Sequence, residues 1–229
     1  PRASFILVGD VNQLPPVGPG NVLNEIIASG KFEVVTLTDI FRQSRESRIV
    51  VNAHRINSGK FPLNETLPPG ERSDFYFIVE DDPQLVVEKI LKLCTHHIPR
   101  RFGLHGVSDI QVLTPMYRGI TGVDNLNVQL QRVFNAGGYG IDRGSRTYKV
   151  RDKVMQLVNN YDKEVFNGDI GFITEIDEQQ KLVRVDFEGR HVSYEFSDLD
   201  ELVTAYAISV HKAQGSEYPA VIMPVMIQH

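Results

Sequence analysis

The sequence predicts an α/β protein in which a mostly parallel sheet, with helices on both faces, is interrupted by a small antiparallel β-barrel. Two hydrophobic patterns indicate this. Through about residue 145, apolar runs of strand length alternate with segments of helical period, as in βαβ units. From about residue 146 the period changes to two, and five short runs follow with turn residues between them. The barrel is therefore placed as an insertion at residues 146–200.

Each predicted element ends at a turn or capping residue. A buried strand at residues 4–8 stops at Gly9, and a helix at residues 21–29 stops at Gly30. After residue 200 the pattern favours a helix and then a strand at residues 220–225. The other predicted strands are 34–38, 75–79, 110–114, 147–150, 153–158, 169–176, 182–187 and 191–196, and the other predicted helices are 45–57, 83–95 and 122–134.

Composition excludes several classes of protein. The 229 residues are 41% hydrophobic and 23% charged, as in globular domains. The apolar stretch at residues 220–227 is interrupted by Pro224 and is too short to span a membrane. The one cysteine, Cys94, has no partner for an internal disulfide, and no export segment opens the chain. We therefore expect a cytoplasmic protein with no membrane contact.

Charge is distributed unevenly along the chain. The net charge is −5, which argues against a protein that binds nucleic acid simply by being basic. Residues 41–60 nevertheless carry five basic side chains and one acidic one, whereas residues 146–200 carry eight basic and twelve acidic side chains. This separation favours one anion-facing surface on an acidic body, although a solvated helix face explains the basic segment equally well.

The first predicted strand leads directly into the sequence GDVNQLPPVGPG at residues 9–20. Ligands of open α/β sheets collect at the carboxyl ends of the strands, so Asp10 and Gln13 are candidates to meet a phosphate or its attacking water. The Gly-Asp pair alone is more typical of an ordinary rigid loop between a strand and a helix. Gln13 and the two prolines that follow it favour the phosphate interpretation.

Four further sequences make a family resemblance specific. They are FRQ at residues 41–43, LTPMYRG at 113–119, KVMQLVNNYDKEVFNGDIG at 153–171 and VHKAQGSE at 210–217. Together with the first loop, they resemble the RecD-like helicases of superfamily 1, the family of the exodeoxyribonuclease V α subunit, whose members move 5′ to 3′ on DNA. The resemblance covers essentially the whole chain.

The resemblance implies a domain organisation. Residues 1–40 would end a first RecA-like motor domain. Residues 41–145 and 201–229 would form a second RecA-like domain, interrupted by a Src-homology-3-like barrel at residues 146–200.

The resemblance also implies a nucleotide site between two motor domains. Gln13 would contact the γ-phosphate of ATP, and Arg42 would approach the same phosphate from the other wall of the cleft. A guanidinium suits this role because it stays charged and stabilises developing charge on the transferred group. An ordinary surface salt bridge is the alternative for Arg42. The full set of implied nucleotide-binding residues is Gly9, Asp10, Gln13, Arg42, Gly215 and Glu217.

DNA contacts are implied at three further places. A hydroxyl that donates to a phosphate positions a strand without reading its sequence, as a motor that moves along DNA requires. Turn chemistry also explains the Thr-Pro and Asn-Asn pairs, and a histidine of this kind is often structural. The implied DNA-binding residues are Thr114, Pro115, Arg118, Asn159, Asn160, Tyr161, His211 and Ser216.

Some parts of a complete helicase motor are missing from the sequence. No phosphate loop of the form G-x-x-x-x-G-K-[ST] occurs, and the family's Mg²⁺-binding Asp-Glu pair is absent. We therefore interpret the chain as a segment of a longer helicase that does not hydrolyse ATP alone. ATP and Mg²⁺ would belong to the full-length protein, with neither bound tightly here. Expected partners are single-stranded DNA and, in some family members, other subunits of exodeoxyribonuclease V.

Two other functions are alternatives to the motor. A non-catalytic module, in which the acidic barrel binds DNA or a partner protein, is the main alternative. A dinucleotide-dependent enzyme is disfavoured because no G-x-G-x-x-G follows a predicted strand. No carboxylate cluster with metal-ligand spacing is visible, so neither a metal site nor a nuclease centre is predicted.

Overall fold

The computed structural model describes residues 5–15, 18, 20–37, 47–64 and 72–226. The chain divides into two compact units, Pro1–Val79 and Glu80–His229.

The described residues of the first unit include two helices, α1 (Val22–Ala28) and α2 (Arg48–Asn57). Ser47 caps α2 by accepting a hydrogen bond from the Val50 amide, and Asp74 accepts bonds from the Ser47 hydroxyl and the Arg48 amide. These hydrogen bonds fix the start of α2 against the segment that precedes the second unit. Both helices match the prediction from sequence.

The three strands predicted in this unit are not formed. Within the described residues, 5–8, 34–37 and 75–79 have no strand pairing, while Ser4 and Thr38 lie outside the described residues. Phe5, Ile6 and Val8 are 89%, 84% and 93% exposed. A parallel strand is stable only when neighbouring strands accept its hydrogen bonds and helices cover its faces. No described segment does this for these runs, so their apolar character alone does not make them strands.

The second unit is built around a three-stranded parallel sheet. Its central strand is β1 (Ile110–Thr114). Two strands from later in the chain, β9 (Ala207–Ser209) and β10 (Ala220–Ile222), flank it in the order β10-β1-β9. Helix α3 (Pro83–Lys92) and helix α5 (Val123–Phe134) pack against this sheet. Their buried side chains form one apolar core with the sheet, which includes Val87, Ile90, Cys94, Ile110, Val112, Leu126, Leu130, Tyr206 and Ala207.

Helix α3 begins at an aspartate cap and continues further than predicted. The Asp82 carboxylate accepts a hydrogen bond from the Gln84 amide at 2.8 Å. A wider π turn at Leu93–His97 joins α3 to α4 (Ile98–Phe102), which ends at Gly103 with φ of 72°. Pro99 has no amide hydrogen to donate to the preceding turn, and this accounts for the loosened helix at that point.

A five-stranded antiparallel sheet follows, as the period of two predicts. Its order is β7-β6-β5-β4-β8, and a separate hairpin of β2 and β3 precedes it. The hairpin packs on the same core, because Tyr148 is buried there and donates its hydroxyl to the Leu202 carbonyl at 2.8 Å. The strands are β2 (Gly140–Arg143), β3 (Arg146–Lys149), β4 (Lys153–Gln156), β5 (Ile170–Asp177), β6 (Leu182–Phe187), β7 (Arg190–Glu195) and β8 (Leu202–Thr204).

The helix predicted after residue 200 is wrong. A short 3₁₀ helix, Phe196–Glu201, ends there, and β8 pairs with β4. After two residues the chain enters the parallel sheet as β9 (Ala207–Ser209), and it returns as β10 (Ala220–Ile222). All residues from 205 to 209 are buried, and strand pairing satisfies backbone groups that a helix there would satisfy locally.

One buried cation offers a test of the core. The Lys153 ammonium donates to the carbonyl oxygens of Val107 and Ile110, at 3.0 and 3.4 Å, and forms no ion pair with any described residue. Burial lowers the pKa of Lys153 to about 8. The folded state therefore binds this proton less tightly than the unfolded state does, so this group costs stability below pH 8 and the cost disappears as pH rises toward 10.5.

Lys153→Met is expected to raise the free energy of unfolding at pH 7 by about 2 kcal/mol, because the relieved desolvation exceeds the two lost hydrogen bonds. Urea denaturation of both proteins between pH 7 and 10.5 measures the effect. The advantage of the methionine variant should shrink across that range, since the lysine then becomes neutral. A constant difference between the two proteins would contradict this account.

Candidate nucleic-acid interface

Two loops meet at the carboxyl edge of the parallel sheet. Strands β1 and β9 are adjacent and parallel, so residues 115–122 and 210–217 leave the sheet at the same edge. The Val210 amide donates to the Thr114 carbonyl at 3.2 Å, and the hydroxyls of Tyr117 and Ser209 lie 3.3 Å apart. Two segments that are far apart in sequence therefore form one surface, at the edge where open α/β sheets bind ligands.

Thr114 shapes the first loop from within. Its side chain is fully buried, and its hydroxyl donates to the Thr121 carbonyl at 2.9 Å. The predicted DNA contact through this hydroxyl would require that bond to break. Pro115 and Arg118, by contrast, are exposed. The structure thus presents the loop's outer residues to solvent and assigns Thr114 an internal role.

The second loop presents its predicted residues to solvent. His211, Gly215, Ser216 and Glu217 are all exposed. The backbone turns twice, with the Lys212 amide donating to the Ser209 carbonyl at 3.0 Å, and Gly215 has φ of 79°. A positive φ suits glycine, so this residue lets the segment fold back. The predicted residues at 211 and 216 are accessible to a DNA strand.

The barrel contributes a third loop, residues 159–167. Asn159 accepts a hydrogen bond from the Asn167 amide at 2.9 Å, and the Asn160 side-chain amide donates to Glu201 at 3.1 Å. Both asparagines therefore hold the loop together. Tyr161 is 75% exposed and lies edge-on to the ring of Phe166, with ring centroids 6.0 Å apart. An exposed aromatic pair of this kind is suited to stacking on unpaired bases.

Phe166 is a candidate that sequence reasoning missed. Phe166 is 44% exposed in a turn, beside Asn167 and Gly168. The sequence patterns assign it no role, because it falls between the predicted strands at residues 153–158 and 169–176. The signal that could have identified it is its place between turn residues, five positions after another exposed aromatic residue.

The predicted nucleotide-binding residues are divided between the two units. In the first unit, Asp10 accepts a hydrogen bond from the Asn12 amide at 2.9 Å, and the Gln13 side-chain amide lies 3.5 Å from its carboxylate. A Cβ at Gly9 would lie 2.7 Å from a methyl carbon of Leu23 in α1, so this position is closely packed. Gly215 and Glu217 belong to the second unit, and Arg42 lies outside the described residues.

Neither a metal centre nor a membrane segment is found in the part of the chain that the structure describes. No group of three or more histidine, cysteine, aspartate or glutamate side chains is arranged there to hold a metal ion. None of the helices in the described residues has the length and apolar character needed to cross a bilayer.

Three family models match the chain in succession. Residues 1–70 match an AAA domain, residues 126–187 match the SH3 domain of ATP-dependent RecD-like DNA helicases, and residues 204–229 match a UvrD-like helicase C-terminal domain. The SH3 match covers the hairpin and most of the antiparallel sheet. The last match covers the loop at residues 210–217.

Curated relatives match over almost the whole chain. The ATP-dependent RecD2 DNA helicase of Deinococcus radiodurans is 32% identical over 230 residues, which are 97% of this chain and 28% of that protein. The RecBCD enzyme subunit RecD of Mycolicibacterium smegmatis is 26% identical, over 95% of this chain and 39% of that protein. The chain thus spans between about a quarter and two fifths of the length of these two relatives.

A solved structure supports the fold. The Pif1 helicase from Bacteroides, crystallised in complex with ADP-AlF3 and ssDNA, matches with a TM-score of 0.54 and 18% identity, over 96% of this chain and 55% of that chain. At this identity the match bears on the fold alone. It agrees with the predicted helicase fold of parallel sheet and helices, and the SH3 match agrees with the predicted barrel.

Proposed function

Because the chain belongs to the RecD-like helicases, we propose that it forms the DNA-binding part of an ATP-dependent motor that moves 5′ to 3′ along single-stranded DNA. The observation that carries the proposal is the junction of the loops at residues 115–122 and 210–217. They are joined through Val210 and Thr114 at the carboxyl edge of the sheet. A ligand bound by one loop therefore affects the position of the other.

Contact with DNA would use charge, hydrogen bonds and stacking without sequence readout. Arg118 and His211 are exposed on the two joined loops, and Tyr161 is exposed on the barrel. Contacts to phosphate hold a strand of any sequence, and aromatic rings stack on any base. This combination suits a protein that moves along DNA.

ATP hydrolysis would need a phosphate loop and a Mg²⁺ site in addition to the predicted nucleotide-binding residues. Gln13 and Arg42 would sense the γ-phosphate, and Gly215 and Glu217 would carry its state to the DNA-binding loop. The sequence has no phosphate loop, and the described residues form no carboxylate cluster that would hold Mg²⁺. We therefore propose that this chain alone does not turn over ATP.

The proposed biological setting is DNA recombination and repair in the cytoplasm. The relatives include RecD subunits of the RecBCD enzyme, so other subunits of such a nuclease are proposed partners. We propose that residues 146–200 interrupt a second RecA-like domain formed by residues 41–145 and 201–229. Residues 1–40 end the first.

Tyr161→Ala is expected to weaken binding to single-stranded DNA about tenfold, because stacking on one ring contributes about 1–3 kcal/mol per base. Fluorescence anisotropy of a labelled oligonucleotide at low salt measures the Kd. Tyr139→Ala is the matched control, since Tyr139 is also an exposed tyrosine (55%) but lies outside the loop at residues 159–167 and donates its hydroxyl to Glu178.

Absence of DNA binding by the unmodified chain would overturn the proposed DNA-binding role. Binding of an unidentified partner protein in its place would favour the non-catalytic module. Equal weakening by both tyrosine substitutions would show that the aromatic pair is not the stacking surface.

A further inference from the structure

One hydrogen bond joins the barrel to the loop at residues 210–217. The Lys212 ammonium donates to the side-chain carbonyl of Asn167 at 2.6 Å. Lys212 is half-buried, and this side-chain partner is a neutral amide, not a carboxylate. A hydrogen bond to a charged donor is stronger than a neutral one, but it lacks the full attraction of an ion pair.

This bond belongs to a series of polar contacts that connects three loops. At one end, the Tyr117 hydroxyl contacts Ser209, whose hydroxyl accepts a hydrogen bond from the Lys212 amide at 3.3 Å. At the other end, the Asn167 amide donates to Asn159. The series of polar contacts therefore runs from the loop at residues 115–122, through the loop at 210–217, into the barrel loop at 159–167.

A cluster of apolar side chains also holds the barrel against the parallel sheet. Met155 of the barrel packs with Ala205 and with Ile208 of β9, and all three are buried. Ala213 and Tyr218, from the 210–217 loop and its exit, pack on the same cluster. The barrel and the sheet are therefore held together by apolar packing in addition to the Lys212–Asn167 bond.

We propose that Asn167 is a positioning residue that makes the barrel loop follow the movements of the 210–217 loop. The aromatic side chain of Phe166 adjoins Asn167 in sequence, and it contacts Tyr161. A displacement of Lys212 is transmitted through Asn167 to this aromatic pair. The inference rests on the proposed function, in which residues 210–217 respond to the nucleotide and the aromatic pair stacks on DNA.

The chain contains no tryptophan, so a single Phe166→Trp substitution provides a specific fluorescent reporter in the barrel loop. All variants are made in this background. Asn167→Ala removes the acceptor, whereas Asn167→Asp keeps an acceptor for Lys212 and serves as the rescue. Lys212→Met removes the donor, and Lys181→Met, on an exposed turn of the same barrel, is its matched control.

Two readouts test the positioning role of Asn167 separately from the proposed DNA binding. Without DNA, Asn167→Ala and Lys212→Met are expected to lower the fluorescence anisotropy of Trp at position 166, while Lys181→Met and Asn167→Asp leave it unchanged. With single-stranded DNA, the first two variants should raise the Kd about fivefold, within the usual range for the net contribution of one hydrogen bond. The double variant should weaken it no further than either single one.

Unchanged anisotropy in Asn167→Ala and Lys212→Met would contradict the positioning role of Asn167, whether or not the protein binds DNA. If these two variants lower the anisotropy but the Phe166→Trp protein does not bind DNA, the positioning role of Asn167 is supported and the proposed function is contradicted. A fall of several degrees in Tm for Asn167→Ala would also overturn the inference, because the residue would then stabilise the fold instead of positioning the loop.

Discussion

Asp152→Ala is expected to destabilise the second unit by about 4 kcal/mol, because it leaves several buried donors without an acceptor. The Asp152 carboxylate is fully buried and accepts hydrogen bonds from Gln131 at 2.6 Å, Asn135 at 2.7 Å, the Lys149 amide at 2.7 Å and the Tyr206 hydroxyl at 3.0 Å. Burial raises the pKa of Asp152, and these four donors partly oppose that effect.

The donors come from different elements. Gln131 belongs to α5, Lys149 to β3, and Tyr206 to the segment between β8 and β9. One carboxylate therefore joins the helix layer, the hairpin and the connection between the two sheets. Its loss should reduce stability throughout the second unit.

Urea denaturation followed by circular dichroism measures this loss. Asp152→Asn should give an intermediate value, because it keeps the shape but places an amide donor among other donors. Asp162→Ala, at an exposed position on the barrel, should change stability by less than about 0.5 kcal/mol. A loss below about 1 kcal/mol for Asp152→Ala would show that water or a rearranged partner satisfies the four groups.

Gly122→Ala is expected to destabilise the second unit by about 3 kcal/mol and to weaken binding to single-stranded DNA. A Cβ at position 122 would lie 2.5 Å from the Arg118 carbonyl oxygen and 2.6 Å from that of Tyr117. Both are backbone atoms, so a side-chain rotation cannot relieve the contact. The loop at residues 115–122 would have to open at the start of α5, beside the loop at 210–217.

Gly137→Ala is the matched control for this substitution. No atom lies within 4 Å of a Cβ at position 137, and its backbone conformation is ordinary for any residue. Thermal unfolding and the anisotropy assay should therefore separate the two alanine variants. If Gly122→Ala binds DNA as tightly as the unmodified chain, the loop at residues 115–122 is not part of the DNA interface.

Hydrophobic patterns correctly predicted elements that find their pairing and packing partners among the described residues. Strand β1 and helix α5 follow the hydrophobic periods of their sequences, and the alternating runs after residue 146 form the antiparallel sheet. The described parts of two other predicted strands, residues 5–8 and 34–37, have no strand pairing. Strand formation depends on a partner, and an apolar sequence does not show where that partner is.

The site shows the same division between local and long-range information. Sequence motifs predicted the loops that the sheet brings to one edge, but they did not show which atoms are already engaged. The Thr114 hydroxyl bonds to Thr121, a contact that depends on how residues 115–122 turn back on β1. The Lys212–Asn167 bond joins residues that are 45 positions apart and belong to different motifs, so no local pattern indicates it.

The connection between β8 and β9 has a consequence for cooperativity. Only Ala205 and Tyr206 separate a strand of the barrel from a strand of the parallel sheet, and they are 0% and 4% exposed. The Tyr206 ring stacks on Phe134 at 6.0 Å. A buried linker of two residues leaves no hinge, so the barrel cannot rotate as a separate body at this point. Calorimetry of residues 80–229 should accordingly show one melting transition shared by the barrel and the sheet.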